Sequence, residues 1–300
     1  MNLKFIDRVI ESYREGLEPA DLKRLEYFRG LWEVMDRWTG GPSAASRSYN
    51  IPANEVLEAA WTDDKPVFAL AAPALKRDRF CAICSALREY VCESGILSEE
   101  DTKALSEVDF ISLVSRGDMA VAASDPDRFL GLLLGKAIEQ GASGGVARLV
   151  ALMGMLALRV DFEPIARQVC RAQKKADLVP SHFPLHCPVC GSAPSLARVG
   201  GADSPTEGRG RTLYCVQCGS DWTFQRVRCA RCGTQNQGHL HYFNIEGDDA
   251  HRIHKCDECG DYMRTVFIED ALRPFSYEVE EVISARFDAI ARDPKFQEKR

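Results

Sequence analysis

Apolar side chains recur at helical spacing along the first half of the chain. Leu3, Ile6, Ile10 and Tyr13 fall on one face of a 3.6-residue period, as do Leu22, Leu25, Phe28, Trp32 and Met35. The segment DPDRFLGLLLGKAIEQG places Asp125 as a helix cap and Pro126 in the first turn, and Gly141 can end that helix. The same period predicts one helix over about 146–160 and another over about 163–174. Strand patterns are sparse here, so residues 1–176 are expected to form an all-helical domain. ADLVPSHFPLH, with Pro180 and Pro184, reads as an extended linker over 177–186. Beyond it the period changes. RTLYC, WTFQRV, LHYFNI and YMRTVFI are short β-rich pieces separated by turn residues. After Pro274, SYEVEEVISARFDAIAR returns to helical spacing and predicts a C-terminal helix within 271–300.

Composition narrows the possibilities. With 300 residues, 45% hydrophobic and 27% charged, the chain can bury a substantial core. A net charge of −6 gives no global attraction to nucleic acid or to an anionic membrane. The most apolar run, Leu149 to Leu158, is flanked by Arg148 and Arg159 and is too short to span a bilayer. The N-terminal segment carries acidic residues and lacks a leader-like apolar stretch, so a cytoplasmic protein is expected. In a reducing compartment the 12 cysteines are expected to be metal ligands or buried thiols rather than disulfides.

Eight of them form four C-x-x-C pairs within 73 residues: Cys187/Cys190, Cys215/Cys218, Cys229/Cys232 and Cys256/Cys259, each followed by Gly. Superposing Cys187 on Cys229 offsets the first pairs by 42 residues and the second pairs by 41, with 24 and 23 residues between pairs. Trp222 and Tyr262 follow the second pair of each unit at similar distances. Such self-similarity implies two copies of one supersecondary unit. A C-x-x-C turn supplies two thiolates, and the following Gly permits the positive φ that closes the turn. Two turns at the end of a hairpin complete a tetrahedral site. The natural grouping joins 187/190 with 215/218 and 229/232 with 256/259, although crossed grouping remains open at this level. Two ions per chain are expected, and all-thiolate sites suit zinc and rubredoxin-type iron alike. The expected class is therefore α+β. An all-helical N-terminal domain precedes two tandem rubredoxin- or zinc-ribbon-like β modules, 187–228 and 229–270, and a C-terminal helix.

Other residues have plainer readings. Cys81 and Cys84 lie within a helical pattern with Phe80, Leu87 and Val91 and have no following Gly, so core thiols are expected, as for Cys92 and Cys170. His239 and His241 should share a strand face, with His251 and His254 nearby. With four sulfurs per site these histidines, like His182 and His186, are expected to be surface residues or supports for the ligands. Arg209, Arg211, Arg226, Arg228 and Arg231 cluster around the first unit and serve either to offset an anionic thiolate centre or to dock an anionic partner. Arg226 and Arg228 are expected on one strand face. Asp248, Asp249, Asp257, Glu258 and Asp261 make the second unit acidic and argue against a continuous phosphate-binding stripe.

The cassette CPVCGSAP…GRGRTLYCVQCGSDWTFQRVRCARCGT…LHYFNIEG…KCDECGDYMRTVFIE resembles the FdhE family of formate dehydrogenase accessory (formation) proteins. The ordered motifs cover about residues 185–290; the first 180 match only in helical character, and the C-terminal YEVEEVISARFDAIA departs from the family's Leu-rich segment. The resemblance implies a cytoplasmic, non-catalytic factor that binds the catalytic subunit of a formate dehydrogenase and assists formation of the active enzyme. It implies rubredoxin-like iron on Cys187, Cys190, Cys215, Cys218, Cys229, Cys232, Cys256 and Cys259, with zinc the alternative. A second reading is a zinc-ribbon adaptor for nucleic acid or a transcription complex, and a third is a thiol–disulfide oxidoreductase.

Overall fold

The computed structural model describes residues 1–14, 16–63, 65–178, 183–201, 210–269 and 273–293. Pro180, His182 and Arg209 fall outside these residues, as do residues 294–300 of the tail. The α+β organisation expected from the sequence is the one observed: helices, then a six-stranded mixed sheet, then C-terminal helices.

The helices before the sheet are α1 (Leu3–Tyr13), α2 (Pro19–Arg37), α3 (Asn54–Thr62), α4 (Val67–Leu70), α5 (Arg77–Glu93) and α6 (Glu99–Ser106). They continue with α7 (Phe110–Leu113), α8 (Arg116–Ser124), α9 (Pro126–Glu139) and α10 (Gly144–Lys175). Side-chain caps fix several starts: Asp125 accepts the Arg128 amide, Ser143 accepts that of Val146, and Ser115 and Asp118 form a reciprocal box. α10 is the central post, packed by α9, α5, α2, α3 and α6.

Two helices were expected where α10 runs unbroken through Pro164. A mid-helix proline costs about 3 kcal/mol through a lost amide and a steric clash. Here Leu158, Val160, Phe162, Ile165, Ala166 and Val169 are all buried, and Asp161 pairs with buried Arg79 at 3.1 Å. Burial on both sides of the proline exceeds that cost. Conversely, the C-terminal helix is split into α11 (Tyr277–Ser284) and α12 (Phe287–Ala291). Ser284 Oγ donates to Glu280 O at 2.6 Å, a side-chain bond that competes with the helical backbone pattern at the break.

The strands are β1 (Leu196–Gly200), β2 (Arg211–Tyr214), β3 (Asp221–Phe224), β4 (Leu240–Ile245), β5 (Asp248–Cys256) and β6 (Tyr262–Ile268). β1 and β5 had no strand signature of their own in the sequence. The sheet order is β3-β2-β1-β6-β5-β4, with β1 parallel to β6 and every other neighbour antiparallel. Each repeat contributes an antiparallel triplet, and the first strand of one triplet pairs with the third strand of the other. The sequence repeat thus becomes a translational repeat across a continuous sheet. Arg226 and Arg228 do not share a strand face as expected, because β3 ends at Phe224 and both lie in the turn that follows.

The helices grip the sheet through polar contacts as well as packing. Arg159 of α10 donates to Val216 O at 2.8 Å and pairs with Glu278 of α11 at 2.6 Å. Tyr277 stacks on Tyr214 with ring centroids 4.2 Å apart. His251 of β5 lies between Asp248 and Glu280, each at 2.8 Å, and Glu280 also accepts from Tyr13 of α1. Arg286 links Asp248 to Asp21 of α2. No described helix is long and apolar enough to cross a membrane.

Burial alone would lower the basicity of His251, but its bonds to Asp248 and Glu280 outweigh it and raise the pKa to about 9. A raised folded-state value means the stabilisation is complete below the unfolded value of about 6.5 and is lost as pH climbs through about 9. The melting temperature of the metal-loaded protein should therefore fall between about pH 7 and pH 10. His251→Gln should flatten that decline. An equal decline in the variant would assign the effect to other groups.

Candidate metal centres

Four turns of one design carry the cysteines. The amide of each leading Cys donates to a carbonyl five residues on: Cys187 to Ser192, Cys215 to Ser220 and Cys229 to Thr234 at 2.9 Å, and Cys256 to Asp261 at 3.0 Å. The amide of the trailing Gly donates back to that Cys carbonyl at 2.8 to 3.1 Å. Closing this ring requires positive φ, and Gly191, Gly219, Gly233 and Gly260 have values of 85°, 74°, 80° and 73°. A side chain at these positions would be strained whatever space surrounded it. The folded turn aims backbone donors at sulfur: Cys190 N lies 3.5 Å from Cys187 Sγ, and Arg231 N and Cys232 N lie 3.4 and 3.5 Å from Cys229 Sγ.

β1 and β2 carry the first pair of turns together, and the β4–β5 hairpin does the same for the second. The sulfurs of Cys187, Cys190, Cys215 and Cys218 lie within 4.8 Å of one another, as do those of Cys229, Cys232, Cys256 and Cys259. The natural grouping is thus the one formed, and the crossed one is not. Nearest cross-turn separations are 3.5 Å in the first group and 3.8 Å in the second. A tetrahedron with metal–sulfur bonds of about 2.3 Å has edges of about 3.8 Å, whereas a disulfide needs about 2.05 Å. The donor set fits a tetrahedral thiophilic cation, and all described cysteines are free thiols.

Burial and hydrogen bonding act in opposite directions on the thiols of each group. Burial pushes the Cys190 and Cys215 thiols well up. Burial opposes charge at Cys187 too, yet hydrogen bonds from Cys190, Cys215 and Cys218 hold it well below the usual thiol range. In the second group burial raises Cys256 and Cys259, while the amides of Cys232 and Arg231 overcome burial to lower Cys229. Four thiolates at these distances are compatible only with positive charge at their centre. When bound, that ion supplies the crosslink between the two turns. With four protein sulfurs around it, such a site has no open position for a hydrolytic water.

The two groups differ in their surroundings. All four cysteines of the first group are buried at 1% exposure or less. The amides of Val67 and Phe68 donate to Pro188 O and Val189 O at 2.9 and 2.8 Å, so the start of α4 binds the first turn. α10 binds the other through Arg159 to Val216 and through Gln217 Nε2 to Met155 O at 3.2 Å. These anchors had no sequence signal, since α4 is only four residues long. In the second group Cys229 and Cys256 are buried, but Cys232 and Cys259 are exposed. His239 and His241 hold that turn through Glu258 at 3.4 Å and Asp257 at 2.8 Å. They support the turn and are not in the sulfur group.

The remaining cysteines lie outside both groups. Cys81 and Cys84 are buried on α5, facing Phe110 O and Met153 O, and Cys92 is half-buried near Thr102 O. Cys170 of α10 sits close enough to the first group that Cys218 and Cys187, after burial, raise its pKa. His186 is exposed. Arg228 donates to Gly233 O and Phe183 O at 3.0 and 2.9 Å, clamping the turn of Cys229 and Cys232. Arg231 reaches Pro194 O at 2.9 Å and Asp261 at 3.4 Å.

Protein prepared without oxygen or chelators should contain two ions per chain by elemental analysis. A chelator should remove the ion at the exposed Cys232 and Cys259 first, at least about tenfold faster, because local opening there disturbs little packing. Cys259→Ser should cost one ion and leave the helical circular dichroism unchanged. Cys187→Ser should cost one ion and also lower the melting temperature of the helical region by several degrees. Equal release rates, or equal effects of the two substitutions, would contradict this asymmetry.

No family model matches the chain. It is 36% identical over 87 residues to curated proteins named Protein FdhE from Escherichia coli O1:K1 and Shigella boydii serotype 18. Each match covers 28% of this chain and spans about a quarter (26%) of the relative's length. The fold is similar to the crystal structure of the FdhE protein from Pseudomonas aeruginosa. That likeness has a TM-score of 0.59 at 16% identity and covers 97% of this chain and 92% of the other. A local sequence match over 87 residues and a nearly full-length fold match thus both point to FdhE proteins as what this chain is similar to.

Proposed function

We propose that this protein is a non-catalytic accessory factor of the cytoplasm that binds the catalytic subunit of a formate dehydrogenase and assists formation of the active enzyme. The observation that carries the reading is the similarity to FdhE proteins in a local stretch of sequence and in fold, combined with two closed tetracysteine groups. Such sites build rigid surfaces rather than reaction centres. The ligands are Cys187, Cys190, Cys215 and Cys218 for one ion and Cys229, Cys232, Cys256 and Cys259 for the other. Rubredoxin-type iron is the favoured ion and zinc the alternative. The exposed edge at Cys232 and Cys259 is the part of the metal-binding region that a partner can reach.

Tagged protein should co-purify with the catalytic subunit when both are produced anaerobically. Recovery of nucleic acid without that subunit would replace this reading with a ribbon adaptor. Ferric tetrathiolate sites absorb in the visible through sulfur-to-iron charge transfer, whereas zinc has a filled d shell. A coloured preparation, bleached on reduction, is expected. Colourless protein with two bound zinc ions would overturn the choice of iron and leave the partner reading to the co-purification.

A further inference from the structure

Of the arginines that cluster in the sequence, Arg211, Arg226, Arg228 and Arg231 do not form a flat patch. They gather with Arg252, Lys255 and Tyr242 of the second repeat around a pocket of 340 Å³. Pairing across the sheet explains the convergence: Val199 of β1 is flanked by Arg211 of β2 and Phe267 of β6, and Arg252 lies on the neighbouring β5. The acidic residues of the second repeat do not neutralise this pocket. Asp261 is the one carboxylate in its lining among the described residues, and it pairs with Arg231 at 3.4 Å.

Arg211, Arg226, Arg228 and Arg252 have no carboxylate within 4.0 Å among the described residues. A divalent ion in four thiolates carries a net charge of about −2, so the adjacent Cys229 group can offset at most about two of these four guanidiniums. The surplus is held in place. Arg211 is 2% exposed and donates through Nη1 to Arg228 O at 2.9 Å, while its buried Nε has no partner. Arg211 and Arg228 both lie against the Phe224 ring, with Cζ 5.7 and 5.3 Å from its centroid. Arg252 lies over Phe267 at 4.1 Å. The guanidinium of Arg252, fixed on a ring face, presents its donor edge with little further entropy to lose, a geometry suited to phosphate oxygens, while Arg211 and Arg228, whose donors already reach backbone carbonyls, contribute positive charge. The volume falls within the range of about 300–1,000 Å³ typical of small-molecule sites. Tyr242 lies 65% exposed in the pocket wall, offering a ring for stacking.

We propose that this pocket binds a small diphosphate ester bearing a flat ring, of the nucleoside diphosphate class, with Arg226 and Arg252 on the phosphates and Tyr242 against the ring. The inference goes beyond the accessory-factor reading and does not depend on which enzyme is the partner.

Calorimetric titration of the metal-loaded full chain with ADP, GDP, inorganic diphosphate and adenosine tests it. Saturable binding is expected for at least one nucleotide, weaker binding for inorganic diphosphate and none for adenosine. The double variant Arg226→Gln with Arg252→Gln should weaken nucleotide binding about tenfold or more while retaining both ions. Tyr242→Ala, at an exposed position, should weaken the nucleotide but not inorganic diphosphate, which keeps the test decisive should the arginine variant fold poorly. Absence of saturable binding by both nucleotides and by diphosphate would overturn the proposal, as would unchanged affinity in a folded arginine variant. Diphosphate binding as tightly as the nucleotide would overturn the ring assignment. Saturation by a Glu-rich peptide alone would reassign the pocket to a protein segment.

Discussion

Four sulfurs held within 4.8 Å of one another impose their requirements on everything around them. Charge on all four needs a central cation, and holding the sulfurs there needs turns that no ordinary residue can close. The trailing glycines meet the second requirement with positive φ, and the paired amides and carbonyls fix each turn to the strand beside it. The turns must then be brought face to face, which the antiparallel strands do. Once both repeats have formed triplets, parallel pairing of β1 with β6 joins them into one sheet. The six-stranded sheet is in this sense a consequence of sulfur geometry repeated twice.

Duplication did not leave the two sites equivalent. The first group was absorbed into the helical body, with α4 and α10 bonding directly to its turns and its sulfurs sealed from solvent. Its ion would act as an internal crosslink, coupled to folding of both halves. The second group stands at the far side of the sheet, supported by histidine–carboxylate pairs and arginine–carbonyl bonds rather than by an apolar core. Exposed sulfur, the adjacent basic pocket and Tyr242 put the chemically distinctive surface on this side. The same asymmetry makes one site suited to stability and the other to recognition.

The sulfur groups and the α+β order were legible because their chemistry dictates residue type and spacing. C-x-x-C-G has few other uses, and a 3.6-residue apolar period has one. What was hidden depends on distant partners. β5 reads as polar, DDAHRIHKC, because His251 is buried against Asp248 and Glu280, the latter 29 residues away. α10 survives Pro164 through packing that no local pattern encodes. The arginine cluster was visible, but its role was not. Arg252 reaches the same pocket only through the β1–β6 pairing, and the turn after Phe224 removes Arg226 and Arg228 from the strand that the sequence suggested.

The central claim is that both groups are complete four-sulfur metal sites. X-ray absorption at the edge of the bound metal addresses it directly, because it counts ligand atoms and measures their distances without relying on activity or a partner. The account predicts a single sulfur shell with about four scatterers at about 2.3 Å, averaged over both sites. A shell containing nitrogen or oxygen, or fewer than four sulfurs per ion, would contradict it.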